Sequence, residues 1–327
     1  MKKFIASLII LVMVIGICSC SGGKPDTAET NKQQNTSAAS GRKTEETKKP
    51  ENPGKTTETA APTEAVTSDQ PGDTEPAPIV GSEGLDIRVY NDGCEVRDIG
   101  TFSGTELVIP SHVDGIPVTS IDEDALSNNT MISLFIPWTV RSVGEDAVSS
   151  SQNLETVTFC EGLIGVGEGS FGSCPKLKSI ELPSTLERIA NSAFRECTAL
   201  TEVVLNSNAA IGHNAFTGCT SLKKVTLKGS GSIAYSLGKC AFEGDAALEE
   251  IKLTEGLETI GAFCFSDCTS LGTVYLPASL TKIEASAFYN VGSLKINYAG
   301  TEEQWKAVNV ANGNDALASA EITYNVK

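Results

Sequence analysis

The amino-acid sequence predicts a solenoid of the α/β class, in which short parallel strands stack coil upon coil through short helical or 3-10 turns. Three observations carry this expectation. A repeat of 22–26 residues runs from about residue 119 to 297, giving about eight repeats. Aliphatic columns keep their place from repeat to repeat. Prolines fall where strands should end.

Composition narrows the function classes first. The chain has 327 residues, 41 acidic against 25 basic, and a net charge of −16. Without a basic block it is a poor ligand for nucleic acid, whose phosphates supply most of the binding affinity. Its two histidines, His112 and His213, are too far apart in sequence to suggest a His-rich zinc site or a His-based triad.

At the N-terminus, Lys2 and Lys3 precede an almost wholly apolar run from Phe4 to Cys18. The run is short for a transmembrane anchor, and residues 1–20 read as a signal peptide. Ile17-Cys18-Ser19-Cys20 resembles the bacterial lipobox. That resemblance implies diacylation at Cys20 and retention at the outer face of the membrane, since two acyl chains anchor stably where one does not.

Residues 21–84 follow as a tether rich in Thr, Pro, Glu, Lys and Ser. They contain no aromatic residue, and beyond alanine only Val66, Ile79 and Val80 are apolar. Disorder is expected, because no apolar surface offsets the entropy of ordering. As a flexible chain the segment would reach about 45 Å. It carries −4, which leaves −14 on residues 85–327, so the acidity belongs to the folded part.

The folded part divides into a lead-in segment, 85–118, repeats over about 119–297 and a C-terminal cap over about 298–327. The repeats align on an anchor step whose second residues are Leu126, Val148, Phe171, Phe194, Phe216, Phe242, Phe265 and Phe288. Five residues before each anchor stands an aliphatic residue, from Ile121 and Val143 to Ile260 and Ile283. Six residues after it stands Leu154, Leu177, Leu200, Leu222, Leu248, Leu271 or Leu294, with Ile132 in the first repeat. Within one repeat, Ile180 and Leu182 alternate as on a strand, Pro183 ends that strand, and Ala193-Phe194 fills the interior. A lone coil cannot bury its apolar face, so the coils stack, to about 40 Å for eight at the usual strand spacing.

The pattern Leu-x-x-Ile-x-Leu-Pro-x-x-Leu-x-x-Ile-x-x-x-Ala-Phe-x-x-Cys resembles the BspA-like class of leucine-rich repeats. The segments Val108 to Ile121, Tyr298 to Trp305 and Ala320 to Tyr324 resemble that family's flanks. The resemblance covers about residues 86–325. It departs at Leu126 and Val148, which replace Phe, and in the lengthened repeat before Phe242.

Cys174, Cys197, Cys219 and Cys268 each follow an anchor by three residues. Such a column suits small buried thiols, although coil spacing and export would also permit disulfides, and a metal is a third reading. Gly167-Glu-Gly-Ser-Phe-Gly172 matches the G-x-G-x-x-G spacing of a nucleotide loop but overlies a repeat anchor, so it reads as a turn. Neither a catalytic constellation nor a cofactor motif is found, and a hydrolase is the least favoured reading.

Function is then expected on the exposed surface. Between the inward strand positions stand Phe135, Thr158, Glu181, Val204, Thr226, Lys252 and Tyr275, the candidate ligand face. Two positions earlier on each strand stand Ser133, Thr156, Ser179, Glu202, Lys224, Glu250 and Thr273. Strand propensity alone would place such residues there, and a binding face for an extracellular protein or glycan is the sharper reading. The family resemblance implies a bacterial surface protein used in adhesion; with the lipobox at Cys20 and no catalytic constellation, a monomeric, lipid-anchored, non-catalytic module is expected. The alternative is a lipoprotein that captures glycan or peptide substrates for a processing or uptake system.

Overall fold

The computed structural model describes residues 76–206, 209–229 and 234–326, all within the unit Gly72–Lys327. The leader, Cys20 and the tether as far as residue 75 lie outside the described residues. Ile79 donates its backbone N–H to Ser111 Oγ at 2.8 Å, and Ser82 donates its own to the Val108 carbonyl at 2.8 Å. The chain therefore joins the folded unit ahead of the boundary read at residue 84.

The repeats build a parallel-strand solenoid. Among the described residues one sheet has ten strands in chain order, beginning with Glu106–Val108, Ser133–Ile136 and Thr156–Phe159 and ending with Thr273–Leu276, Lys295–Tyr298 and Glu321–Thr323. The stack thus has about ten coils where the repeat count gave eight, because the lead-in and the cap each add a strand to this sheet. Among the same residues the second sheet has twelve short strands. Its Ile121, Val143, Val166, Ile189, Ile211, Leu237, Ile260 and Ile283 pair in register, so the column five residues before each anchor is a physical line. The predicted strand ends hold, since Pro137, Pro183 and Pro277 directly follow Ile136, Leu182 and Leu276.

One core assignment shifts. Ile132 is 42 % exposed, while Met131 is fully buried in its stead. Leu134 pairs with Val157 although it stands one residue closer to its anchor, so the first coil is shorter by that residue.

The third side of each coil carries the anchors, and its geometry differs from the expected helical or 3-10 turn. Each anchor N–H donates to the next coil: Phe171 to the Ala193 carbonyl, Phe194 to Ala215 and Phe216 to Ala241, each at 2.8 Å. Two residues before each anchor the backbone is left-handed, at Asp124, Asp146, Gly169, Ser192, Asn214, Cys240, Phe263 and Ser286. Two residues after each anchor it is left-handed again, from Asn128 and Ser150 to Asp267 and Asn290. These residues interrupt helical geometry and turn the peptide groups along the stack, where they form a ladder. Among the described residues, helix is confined to Glu302–Ala307 and Asp315–Ala318 in the cap.

Inside, six phenyl rings from Phe171 to Phe288 stack one per coil, with centroids 5.2–5.5 Å apart. Each buried ring contributes about 1.5–3 kcal/mol by removal from water, and each pair about 0.5–1.5 kcal/mol more. Where Val148 is too small to continue the stack, Phe159 meets Phe171 edge-on at 5.6 Å.

Candidate functional site

The strands of the ten-stranded sheet alternate, so every second side chain faces out. Phe135 pairs in register with Thr158, Glu181 with Val204, Val204 with Thr226, Thr226 with Lys252, and Lys252 with Tyr275. The candidate residues therefore lie in one row that crosses seven coils, and the register extends it to Val108 before Phe135 and to Asn297 after Tyr275. Thr158, Glu181 and Lys252 are exposed. Phe135, Val204 and Tyr275, read as exposed apolar groups, are only half-buried.

Two cavities open along this row where the strands turn into the following loops. One, of about 470 Å³, brings Thr158 and Glu181 together with Glu161, Ser179 and Asn206. The other, of about 310 Å³, brings together Lys252, Tyr275 and Asn297 against Thr254, Glu255 and Pro277. Phe135 and Tyr275 stand at opposite ends of the row.

Charges on the face are mostly paired between coils. Lys178 meets Glu155 at 2.5 Å, Lys224 meets Glu202 at 2.9 Å and Lys228 meets Glu181 at 3.7 Å. The Lys178 ammonium, by its hydrogen bond and its charge, holds the Glu155 carboxyl below its ordinary range. Lys252 instead lies over the Tyr275 ring, 5.7 Å from its centroid, and among the described residues it has no carboxylate within ion-pair distance.

The loop walls rest on a recurring staple. Glu161 accepts from the backbone N–H and hydroxyl of Ser184 and from Thr185 N–H, while Glu255 accepts from Ala278 and Ser279 N–H. The Ser184 backbone bond, chief among these, holds the Glu161 carboxyl low. The signal for the staple was in the sequence: Glu-Gly-Leu at 161–163 and again at 255–257, each followed one coil later by Pro-x-Ser/Thr-Leu.

The column thiols lie well away from the outer face. Cys174, Cys197, Cys219 and Cys268 are fully buried, and each S–H donates to a carbonyl of the preceding coil, as Cys197 does to Phe171 at 3.2 Å. Burial pushes the Cys174 thiol up to about 12 and the others in the same direction, which suppresses the thiolate that nucleophilic or metal chemistry would need. The sequence reading missed the residue in this column between Cys219 and Cys268. Asp245 occupies the thiol position, fully buried, and neither carboxylate oxygen has a hydrogen-bond partner. Burial raises its pKa well above the ordinary value and outweighs the opposing effect of the Cys219 backbone.

The remaining candidates resolve into the frame of the stack. A Cβ on Gly167 would collide with the backbone of Gly144 one coil below, so that glycine serves coil packing. His213 is exposed, and its Nδ1 accepts the backbone N–H of Lys239 at 2.8 Å. Trp305 lies in the cap, edge-on to Tyr298 at 5.3 Å, far along the chain from Trp138. Among the described residues no cluster of His, Cys, Asp and Glu is arranged to hold a metal ion, and no helix is long and apolar enough to cross a membrane.

The repeat profile of a known family agrees with this architecture. The BspA type leucine rich repeat region matches in six copies over residues 119–236 and 206–307. Similar solved structures include a leucine-rich repeat protein from Bacteroides ovatus, 22 % identical, covering 74 % of this chain and 70 % of that one with a TM-score of 0.48. The pneumococcal vaccine antigen PcpA is 19 % identical over 77 % of this chain and 88 % of its own, with a TM-score of 0.40. A leucine rich cell surface protein from Faecalibacterium prausnitzii is 16 % identical over 73 % of this chain and 99 % of its own, with a TM-score of 0.34. Among curated proteins none matches. With the repeat profile spanning more than half of the chain and the coils stacked as that repeat requires, the chain belongs to the BspA type leucine-rich repeat family.

Proposed function

We propose that this chain is a non-catalytic cell-surface module that binds an extracellular protein or glycan through the outer face of its ten-stranded sheet. In this reading Cys20 carries the lipid anchor and the tether that follows, from residue 21 to about 75, holds the solenoid away from the membrane, so that the module serves adhesion. The observation that carries it is the outer row, a line of mixed side chains from Phe135 to Tyr275 on a rigid sheet, hollowed by one cavity toward each end. A surface of this kind suits extended contact with a macromolecule. Substrate capture for an uptake or processing system is the second reading, and the small cavity at Lys252 and Tyr275 favours it. The deciding experiment measures binding of the full chain to intact cells and to immobilised matrix proteins and glycans. A folded Phe135→Ala/Tyr275→Ala variant is expected to lose most of that binding. Unchanged binding would remove this face from consideration. Metabolic labelling with a fatty acid, set against Cys20→Ser, tests the anchor.

A further inference from the structure

Within the binding face proposed above, and resting on that reading, we infer that the cavity at Lys252, Tyr275 and Asn297 is a subsite for a carboxylated sugar residue, such as a uronic acid in a glycan. Its three polar heads stand on adjacent strands in a single register line. They project an ammonium, a phenol and a carboxamide over largely apolar walls contributed by Leu253, Leu276 and Pro277.

The cation of this cavity is left available to meet an anion. The lysines that pair with glutamates across coils, Lys178, Lys224 and Lys228, are neutralised in place. Lys252 has no such partner among the described residues and is held only by its position over the Tyr275 ring. Glu255 also lines the cavity, but its oxygens accept from Ala278 N–H at 2.9 Å and Ser279 N–H at 3.2 Å. Each oxygen thus turns part of its acceptor capacity to the loop, while Lys252, Tyr275 and Asn297 supply the donors that a ligand meets. A carboxylate on a polyhydroxylated ring supplies the matching acceptors.

Size and shape favour a sugar over an acidic peptide. About 310 Å³ accommodates one or two rings. The strand Thr273–Leu276 is paired on both sides, so an extended peptide has no free edge there to join as a further strand. Lys252 lies over one face of the half-buried Tyr275 ring, and Tyr275 lines the cavity as an amphipathic wall of the kind a sugar contacts.

Titration calorimetry of the full chain with a galacturonate oligomer, a neutral galactose oligomer and an oligoglutamate peptide tests the assignment. The uronate oligomer is expected to bind, to weaken with added salt, and to weaken about tenfold or more in Lys252→Gln, the loss typical of one charge-assisted contact. Asn297→Ala should weaken it by a smaller factor, and Lys252→Arg should retain it. Arg195→Gln, an exposed change beside the anchor Phe194 and off the sheet face, should leave uronate binding unchanged. Equal binding of the neutral oligomer, binding of oligoglutamate alone, or uronate binding indifferent to Lys252→Gln would each overturn the assignment. If no oligomer binds while cell or matrix binding still depends on Phe135, the subsite is wrong and the binding face stands. If that dependence is also absent, both are wrong.

Discussion

The side-chain oxygen of Asn314 accepts the backbone N–H of Phe288 at 3.0 Å, taking the place that a carbonyl of the following coil holds at the earlier anchors. Its amide nitrogen donates to the carbonyls of Glu284 and Ala311, at 2.9 and 2.8 Å. One buried side chain thus terminates the ladder that begins with Leu126 donating to Ala147.

Replacing Asn314 with Leu should therefore strand the Phe288 N–H in the interior. A buried unsatisfied backbone group costs about 1–3 kcal/mol. Because coils interact with their neighbours only, the loss should be local. Amide exchange around Phe288 is expected to accelerate while the Phe194 amide stays protected. Uniform acceleration through the stack would show that Asn314 is not a local terminator.

Asp245 makes stability depend on pH in an unusual direction. Its folded pKa lies above its unfolded value, so the folded state holds a proton that the unfolded state gives up. Its contribution is fully present below about pH 4, the ordinary aspartate range, and is lost as pH rises toward the folded value. Asp245→Cys restores the column, with an S–H placed to donate one coil back as Cys219 does to Phe194. The variant should be more stable than the parent at pH 7, and the gain should shrink as the pH falls to 4. Thermal unfolding at the two pH values reads this out, and an equal gain at both would sink the explanation.

Phe263 holds a left-handed backbone, φ 57°, where other coils place Asn, Ser, Asp, Gly or Cys. That conformation costs a bulky residue about 1–2 kcal/mol. Phe263→Asn gives up a contact with Lys239 at 6.0 Å from the ring and should still raise the midpoint of thermal unfolding by a few degrees. The reciprocal change, Asn214→Phe, should lower it.

Truncating a ring in the middle of the phenyl stack should cost far more. Phe216 touches rings on both sides, at 5.3 Å each. Phe216→Ala is expected to destabilise by about 3–5 kcal/mol, measured by denaturant unfolding. A loss under 1 kcal/mol would mean that the neighbouring coils collapse into the space.

The sequence exposed the stack because a column in a solenoid is one physical environment repeated. Ile121, Val143 and Val166 face the same interior, so they share a chemical type and a spacing. The outer row was legible for the same reason, as the positions between Leu134 and Ile136 or between Val274 and Leu276. Whatever departs from strict translation escaped. The shortened first coil misplaced Ile132 for Met131, and Asn314 works only once. Asp245 is an ordinary surface residue type until its column shows that it is inside. The cavities were hidden because loop backbone beyond the strands builds them, and no periodic position marks a wall.

A ladder closed by a single terminator has a consequence for how such a molecule can change. Every internal coil receives and passes on the same bonds, so a coil inserted between Phe194 and Phe216 meets neighbours it already fits. The ends remain intact, since one is finished by the strands before Glu106 and the other by Asn314 and the cap helices. Reach across a partner can then lengthen in steps of about 4.8 Å without a new core being invented. Size is an adjustable dimension of this protein, and the two finished ends make that adjustment safe.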